Sequence, residues 1–351
     1  MSTGSRTDDR TDHRREADDY WRAVVANDVD AALAVVDHAA EHDPDGALER
    51  LVAGTQVRVG ELWERDEFTV AQEHAATAVS ELVVRHHLER SQAARPRVDR
   101  APAPVVVACA EREWHALPGL LIAASLSRRG LDVVSLGADV SAQRLHGALL
   151  DAPVTAVLVS ASLSSSLPRV RAHVETARLV GTPVVVGGSA FDRAGRRAAV
   201  LGATAQAGDA ATAADLVPSL PRRVSPAPPL THPGVDEAVL LEADQARLVD
   251  SVQDRLLQRA AERTAAGPDA ATEDRWSRVL GDQLPHLLGS VAAALLVEEP
   301  EVLGEVRRWL STVLAGRSAP PTTVDDVWSV LREVLHDFPH ATALLDRSGP
   351  A

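Results

Sequence analysis

Apolar residues across positions 18–92 recur every three or four residues, which is the spacing of one helix face. Asp28 is a helix-start signal, and Thr69 followed by Gln72 has the pattern of a capping box. The pattern therefore predicts a small bundle of short helices, a helical cap. Residues 1–17 are rich in Ser, Thr, Asp and Arg, and we expect them to form a disordered tail.

Between residues 105 and 217 the hydrophobic pattern is different: short apolar runs alternate with helical segments. The predicted strands are Val105–Ala110, Asp132–Leu136, Ala156–Ser160, Val184–Val186 and Thr204–Ala207. The predicted helices between them are Leu117–Arg129, Ala142–Leu150, Leu167–Leu179 and Arg193–Leu201. This alternation predicts an α/β domain, a doubly wound parallel sheet of flavodoxin-like type. Such sheets bind ligands at the carboxyl ends of their strands.

The rest of the chain returns to helical spacing after a proline-rich linker. Residues 218–234 form this linker, which we expect to be extended. Residues 235–351 predict a third, all-helical domain. Its predicted helical segments run from Glu237 to about Thr264, from near Thr272 to Val297, from after the Glu299-Pro300 break to about Ala315, and over Val324–Phe338. The predicted fold is therefore an α/β domain between two all-α domains.

Charge and cysteine content exclude several classes of protein. The formal net charge of −14 argues against a nucleic-acid surface, which requires a basic patch. The single cysteine, Cys109, excludes an internal disulfide and a four-cysteine zinc site. It lies in an apolar run, where a buried, inert thiol is expected. The sequence has no nucleophile with a nearby base and no phosphate loop, so we expect a protein that is not an enzyme.

No segment predicts a membrane location. The N-terminal residues are polar and charged, without the apolar core of a signal peptide. No stretch approaches the roughly 18 apolar residues that a membrane span needs. We therefore expect a cytoplasmic protein with no membrane partner.

Candidate ligand-binding residues follow the predicted strands. Glu113-Trp114-His115 comes after the first strand. Imidazole is the commonest protein metal ligand, and a carboxylate two positions earlier can fix its tautomer. Ser160 and Ser162 follow the third strand, and Gly187-Gly188 follows the fourth. The Glu-x-His motif alone is also compatible with an ordinary flavodoxin-like domain that has a loop histidine.

Together these residues resemble the Asp-x-His-x-x-Gly, Ser-x-Leu and Gly-Gly pattern of cobalamin-binding proteins with a helical cap, over roughly residues 20–217. The resemblance implies that His115 ligates cobalt after displacing the dimethylbenzimidazole of the cofactor. It also implies a hydrogen-bonded relay through Glu113 and Ser160. The residues beside the displaced base would be Ser160, Ser162, Gly187 and Gly188.

The chain departs from the family pattern at three positions. Glu113 replaces the aspartate, as in light-sensing members of the family. Pro118 stands at the expected glycine, with Gly119 one place later. Ser162 stands where the leucine of Ser-x-Leu is expected. These departures bear on the shape of the loop and the packing of the tail more than on the cobalt ligand.

A second candidate motif consists of Trp63, followed after nine residues by Glu73-His74. By themselves these are a core tryptophan and a surface pair. The spacing resembles the signature of photoreceptors that hold adenosylcobalamin. The resemblance implies that Trp63 packs over the adenosyl group, that Glu73 binds its ribose, and that His74 takes the upper cobalt position after light. It favours a light sensor. The alternatives are a corrinoid methyl carrier for a methyltransferase, and a scaffold with a vestigial pocket.

The C-terminal helices are most simply a bundle that dimerises or binds a partner. However, the domain order resembles the photocobilins, which pair cobalamin with a bilin such as biliverdin. The candidate bilin contacts are Trp276, His286, Arg308, Trp309 and His336. A bilin here would not be cysteine-linked, since Cys109 lies in another domain. We expect a homo-oligomer that signals to a partner protein.

Overall fold

The helical cap is present in the computed structural model, which describes residues 4–44, 46–95, 102–264 and 270–349. Its helices are α1 (Gly4–Val25), α2 (Val29–His42), α3 (Gly54–Glu64), preceded by a π-helical turn, and α4 (Val70–Ala93). The predicted capping box is confirmed: Thr69 Oγ1 accepts from Gln72 N at 3.2 Å, and Gln72 Oε1 accepts from Thr69 N at 2.9 Å. The box begins α4, so Glu73 and His74 lie in its first turns.

The predicted disordered tail is wrong for residues 4–17, which belong to α1, while residues 1–3 lie outside the described part. Tyr20 is completely buried and anchors the helix in the cap. Glu16 is joined to Arg50 by an ion pair of 2.9 Å. Because adding a residue to an existing helix costs little, a polar segment can extend from an anchored turn.

All five predicted strands are present and form one parallel sheet in the order β2-β1-β3-β4-β5. The strands are β1 (Val105–Cys109), β2 (Val133–Gly137), β3 (Ala156–Ser160), β4 (Val184–Gly187) and β5 (Ala205–Ala207). The helices between and after them are α5 (Ala116–Arg128), α6 (Ala142–Asp151), α7 (Leu167–Leu179), α8 (Arg196–Val200) and α9 (Ala210–Leu216). The chain order reverses between β1 and β3, so a ligand crevice is expected at their carboxyl ends.

The sheet separates two hydrophobic cores, because successive side chains of a strand point to opposite faces. On one face Val105, Val107 and Leu158 belong to a core that is continuous with the cap, α5 and α9. On the other face Val106 and Val157 belong to a core that is continuous with α7 and the C-terminal helices. The three predicted regions are therefore packed into one molecule.

The linker and the C-terminal helices follow the prediction with two differences. The linker is extended, and Arg171 Nη2 donates to Pro228 O at 2.6 Å. The C-terminal helices are α10 (Gly234–Ala243), α11 (Gln245–Thr264), α12 (Ala270–Val297), α13 (Glu301–Gly316), α14 (Thr323–Val334) and α15 (Pro339–Arg347). The predicted first segment is two helices, separated at Asp244. The predicted last segment ends at Val334, because Pro339 begins a new helix in the position that proline favours.

Helix α12 corrects the expectation that no segment reaches membrane-spanning length. Trp276–Val297 is long and apolar enough to cross a membrane by length and composition alone. However, 67 % of its apolar window is buried inside the protein. Its residues Leu284, Leu288 and Val291 belong to the core between the sheet and the C-terminal helices. The apolar character is thus accounted for by its position as the central helix of this domain.

Candidate functional site

A cavity of about 740 Å³ lies between the cap and the carboxyl ends of the strands. Its lining on the cap side includes Glu49, Gln56, Glu73, His74, Thr77 and Glu81. Its lining on the α/β side includes Trp114, His115, Ser160, Ser162, Gly187, Gly188 and Asp209. Folding therefore brings Glu73-His74 and Trp114-His115, which lie about forty residues apart in the sequence, onto one cavity.

His115 is held by Glu113 on the loop after β1. Glu113 is completely buried, and its Oε1 contacts His115 Nδ1 and accepts from His115 N at 3.2 Å. Its Oε2 accepts from the backbone N–H groups of Ser162 and Leu163 at 2.7 and 3.1 Å. Since Nδ1 faces the carboxylate, Nε2 is the ring nitrogen left for a metal.

The electrostatics of this pair follow from the same contacts. Burial alone would raise the pKa of the Glu113 carboxyl, but the hydrogen bonds from His115 and Ser162 and the charge of His115 lower it. The hydrogen bond to Glu113 raises the pKa of His115 against the effect of burial. The carboxylate is thus charged at neutral pH and makes the imidazole a more basic, better-oriented ligand.

The structure corrects the predicted relay through Ser160. The described hydrogen bonds of the Glu113 carboxylate come from His115 and from the backbone of Ser162 and Leu163. Ser160 is buried at the end of β3 and lines the cavity. Because position 162 acts through its N–H group, serine in place of leucine leaves this interaction intact.

The position of Gly119, one place later than the glycine of the family motif, also has a physical reason. A Cβ atom on Gly119 would lie 2.8 Å from Cys109 Sγ, so only glycine lets α5 pack this closely on β1. Pro118, at the expected glycine position, lines the cavity instead. Burial raises the pKa of the Cys109 thiol to about 12, which agrees with the predicted inert cysteine.

Gly187 and Gly188 form a cavity wall without side chains. A Cβ atom on Gly187 would lie 2.7 Å from Ala207 O. Gly188 has φ +108°, and a Cβ atom there would lie 2.2 Å from Ala161 O. Both positions thus require glycine for backbone reasons. The bare wall that results suits the planar tail that the resemblance implies.

The cap side of the cavity carries polar residues that the sequence analysis missed. Gln56 donates to Ser80 Oγ at 3.0 Å and accepts from Thr77 Oγ1 at 3.0 Å. Glu73, Thr77 and Glu81 recur every four residues along α4, so they share one face of the helix. Polar residues repeated at this helical spacing along α4 were the available signal.

Trp63 lies elsewhere than predicted. It is absent from the cavity lining among the described residues and stacks on Trp309 of α13, with ring centroids 6.3 Å apart. The Arg317 guanidinium lies 4.7 Å from the centre of the Trp63 ring and donates to the carbonyl oxygens of Trp63 and Glu64 at 3.1 and 3.2 Å. The tryptophan thus joins the cap to the C-terminal domain, and its contact with an upper ligand stays a prediction.

The five predicted bilin contacts do not converge. His286 packs edge-on against Trp309, 5.6 Å between ring centroids, and burial lowers its pKa to about 4. Trp276 lines a second cavity, of about 770 Å³, inside the C-terminal domain. Arg308 pairs with Glu301 on the surface, and His336 is exposed beside Asp337. A flat chromophore would meet only part of this set, because Trp276 lines the second cavity whereas Trp309 packs against Trp63 and His286.

The residues of the first cavity fit a corrinoid. Over the described ranges no cluster of three or more His, Cys, Asp or Glu side chains can hold a metal ion. A corrin supplies its own equatorial nitrogens, so one oriented imidazole from the protein is sufficient. His115 provides that ligand, and the cavity continues to the glycine wall where a displaced tail would lie.

Comparisons with known proteins agree with this chemistry. Residues 103–217 match a family model described as B12 binding domain, and residues 16–87 match a second model of the same description. No curated protein sequence matches the chain.

Three solved structures are similar in fold. The monomethylamine corrinoid protein of Methanosarcina barkeri is 19 % identical, with a TM-score of 0.47, and the match covers 58 % of this chain and 97 % of that one. A cobalamin-binding protein of Desulfitobacterium hafniense DCB-2 is 19 % identical, with a TM-score of 0.32, covering 57 % and 96 %. The methanol:cobalamin methyltransferase complex of Methanosarcina barkeri is 17 % identical, with a TM-score of 0.32, covering 58 % and 79 %.

The family matches span the cap and the α/β domain, the two parts that enclose the cavity with His115. Residues 16–87 and 103–217 are thus two B12-binding domains, and the chain is a cobalamin-binding protein.

Proposed function

We propose that this protein is a light sensor that holds adenosylcobalamin between the cap and the α/β domain. The observation that carries the proposal is the shared cavity, which has His115 on the α/β side and Glu73 and His74 on the cap side. A histidine above a cobalt ligand is suited to occupy the upper position once it becomes free. The role is a signalling one rather than catalysis.

The chain's own residues have separate tasks in this proposal. Glu113 contacts His115 Nδ1, which orients the ring so that Nε2 would hold the cobalt. Glu73 and His74 lie in the first turns of α4, where the capping box fixes the start of the helix. When bound, adenosylcobalamin supplies a cobalt–carbon bond that visible light cleaves. The loss of the adenosyl group would let α4 move, and His74 would follow into the space.

The contact between the cap and the C-terminal domain supports a route for the signal. Trp63 stacks on Trp309, and Arg317 holds the carbonyl groups at the end of α3. A Cβ atom on Gly316 would lie 2.7 Å from Glu64 O, so the backbones meet directly. A displaced cap would have to shift these contacts. The output would be a change in domain packing or oligomeric state that a partner recognises.

The light test uses the full chain reconstituted with adenosylcobalamin in darkness. In air, we expect green light to convert the alkylcobalamin spectrum into a stable protein-bound Co(III) spectrum, with dissolved oxygen as the oxidant for the Co(II) that cleavage of the bond would leave. His74→Ala should still photolyse but end with a spectrum lacking the upper imidazole. His86→Ala changes another exposed histidine of α4, outside the cavity lining, and should behave as the native protein. Photolysis indistinguishable from that of free cofactor would refute the sensor.

A corrinoid methyl carrier is the second candidate. The solved structures named above include a corrinoid protein for monomethylamine and a methanol methyltransferase complex, although their likeness extends to the fold alone. A carrier must expose the upper face of cobalt to its enzyme. His74 on that side and the Arg317 contacts of the cap oppose this. Binding of methylcobalamin with reversible Co(I) cycling, and no protein-dependent photochemistry, would favour the carrier.

The same proposal includes a bilin in the C-terminal domain. The second cavity, of about 770 Å³, supports it, because Trp276 and Arg278 could meet a ring system and a propionate. We expect added biliverdin to give a red-shifted absorption band that is lost on denaturation, since no cysteine can hold it. Trp276→Phe should weaken binding about two- to tenfold, as expected for one aromatic contact. Trp328→Phe, a buried tryptophan outside this cavity, is the control. An unchanged bilin spectrum would contradict this assignment.

A further inference from the structure

The loop after β3 is what holds the Glu113 carboxylate in place. Ser162 and Leu163 donate their N–H groups to Glu113 Oε2, and Glu113 in turn fixes the ring of His115. The orientation of the cobalt ligand therefore depends on the backbone position of this loop. Three consecutive serines, residues 164–166, follow directly in the sequence. This part of the chain therefore has no large side chains that could fix the loop by packing.

One turn of α12 covers this loop from the C-terminal domain. Ser290 is completely buried, and its Oγ lies 3.0 Å from Ser164 Oγ. His286 Nδ1 lies 2.7 Å from Ser165 Oγ. A Cβ atom on Gly289 would lie 2.7 Å from Ser165 Cβ, so the helix and the loop approach as closely as glycine allows. The contact thus consists of two side-chain hydrogen bonds with a close packing contact between them.

The same turn is also connected to the loop after β1. Arg112, which precedes Glu113, hydrogen-bonds Gln245 at the start of α11 through its Nη1. Gln245 Nε2 donates to Pro285 O at 2.9 Å. The α12 residues 285–290 therefore reach both loops that build the Glu113–His115 pair, and they do so by independent contacts.

We propose that His286, Gly289 and Ser290 of α12 are positioning residues for the cobalt ligand. They act through Ser164 and Ser165 on the loop whose N–H groups hold Glu113, and none of the three is among the described residues that line the cavity. The C-terminal domain therefore tunes histidine ligation of cobalt. The coupling is reciprocal, so a change of ligation at His115 also changes the free energy of this contact. This proposal rests on cobalamin binding and requires neither light nor an adenosyl group.

The test compares two glycine substitutions in α12 of the full chain. Gly289→Ala places a methyl group against Ser165, whereas Gly281→Ala places one where nothing lies within 4 Å. In the cofactor-free protein, we expect Gly289→Ala to reduce hydrogen-exchange protection of the Ser162 and Leu163 amides. With cob(II)alamin in darkness, we expect a smaller histidine-ligated fraction by electron paramagnetic resonance. Affinity should fall about tenfold, as for the loss of an outer-shell partner.

Ser290→Ala is the milder variant, which removes only the hydroxyl that meets Ser164. It should change both readouts in the same direction and by less, and it keeps the test decisive if Gly289→Ala does not fold. Native values of amide protection and histidine ligation in the folded variants would overturn the proposal. Equal losses in Gly281→Ala would also overturn it, since they would indicate general destabilisation of the helical domain.

Discussion

Replacing His115 by alanine is expected to remove the protein nitrogen from cobalt and to weaken cobalamin retention by more than about 100-fold. The loss of an outer-shell partner alone costs about 10–100-fold, and His115 is the inferred ligand itself. His115 precedes α5 at its N-cap position and makes no side-chain capping hydrogen bond, so alanine leaves the start of the helix intact. The start of α5 should therefore persist, but the buried Glu113 carboxylate loses its imidazole partner, so we expect a lower free energy of unfolding beside the loss of binding.

Electron paramagnetic resonance of the bound Co(II) state measures the result directly. The native protein should show coupling to one axial protein nitrogen, and His115→Ala should not. His146→Ala, on α6 and outside the cavity lining, serves as the control and should bind as the native protein does. A persisting protein-nitrogen signal in His115→Ala would assign the ligand to another residue.

Replacing Gly188 by alanine should destabilise the α/β domain by about 3 kcal/mol or more. A non-glycine residue at a left-handed φ costs about 1–3 kcal/mol in backbone strain. Here φ is +108°, and the new Cβ atom would also lie 2.2 Å from Ala161 O. That carbonyl cannot move freely, because it accepts a hydrogen bond from Ala190 N at 3.2 Å. Strain and steric overlap therefore add.

Urea denaturation, followed by circular dichroism, gives the free energy of unfolding for this comparison. Gly147→Ala is the matched control, since Gly147 is a solvent-exposed residue in the middle of α6 with nothing within 4 Å of an added Cβ atom. Alanine in a helix interior should stabilise by about 0.5–1 kcal/mol. Equal unfolding free energies for Gly188→Ala and the native protein would show that the turn can relax.

Much of the fold was predictable because its elements are encoded by local patterns. Five short apolar strands, the capping box of α4 and the extended linker all depend on neighbouring residues. The prediction was wrong where an element depends on distant contacts. Polar residues 4–17 are helical because Tyr20 and the Glu16–Arg50 pair anchor the helix from which they extend. The length of α12 reflects burial by surrounding helices rather than a lipid environment.

The residues of the candidate site likewise divide into those whose place could be predicted from the sequence and those whose place could not. The Glu113–His115 pair and the Gly187-Gly188 wall could be predicted because a motif and a strand end specify them. The place of Trp63 could not, since its partner Trp309 is almost 250 residues away in the chain. For the same reason the sequence offered no hint that Ser164 and Ser165 meet α12. Side chains that pair across domains leave no periodic signal in either segment.

The sequence by itself determined the alternation of strands and helices, the edge of the sheet where a ligand binds, and the residue types that suit cobalt. These properties follow from backbone geometry and side-chain chemistry over a few residues. Only the tertiary structure decided which cap residues share the cavity with His115, that Trp63 faces the C-terminal domain, and that α12 supports the loop behind Glu113. Such contacts are set by the packing of whole elements against each other, which depends on all their apolar faces at once.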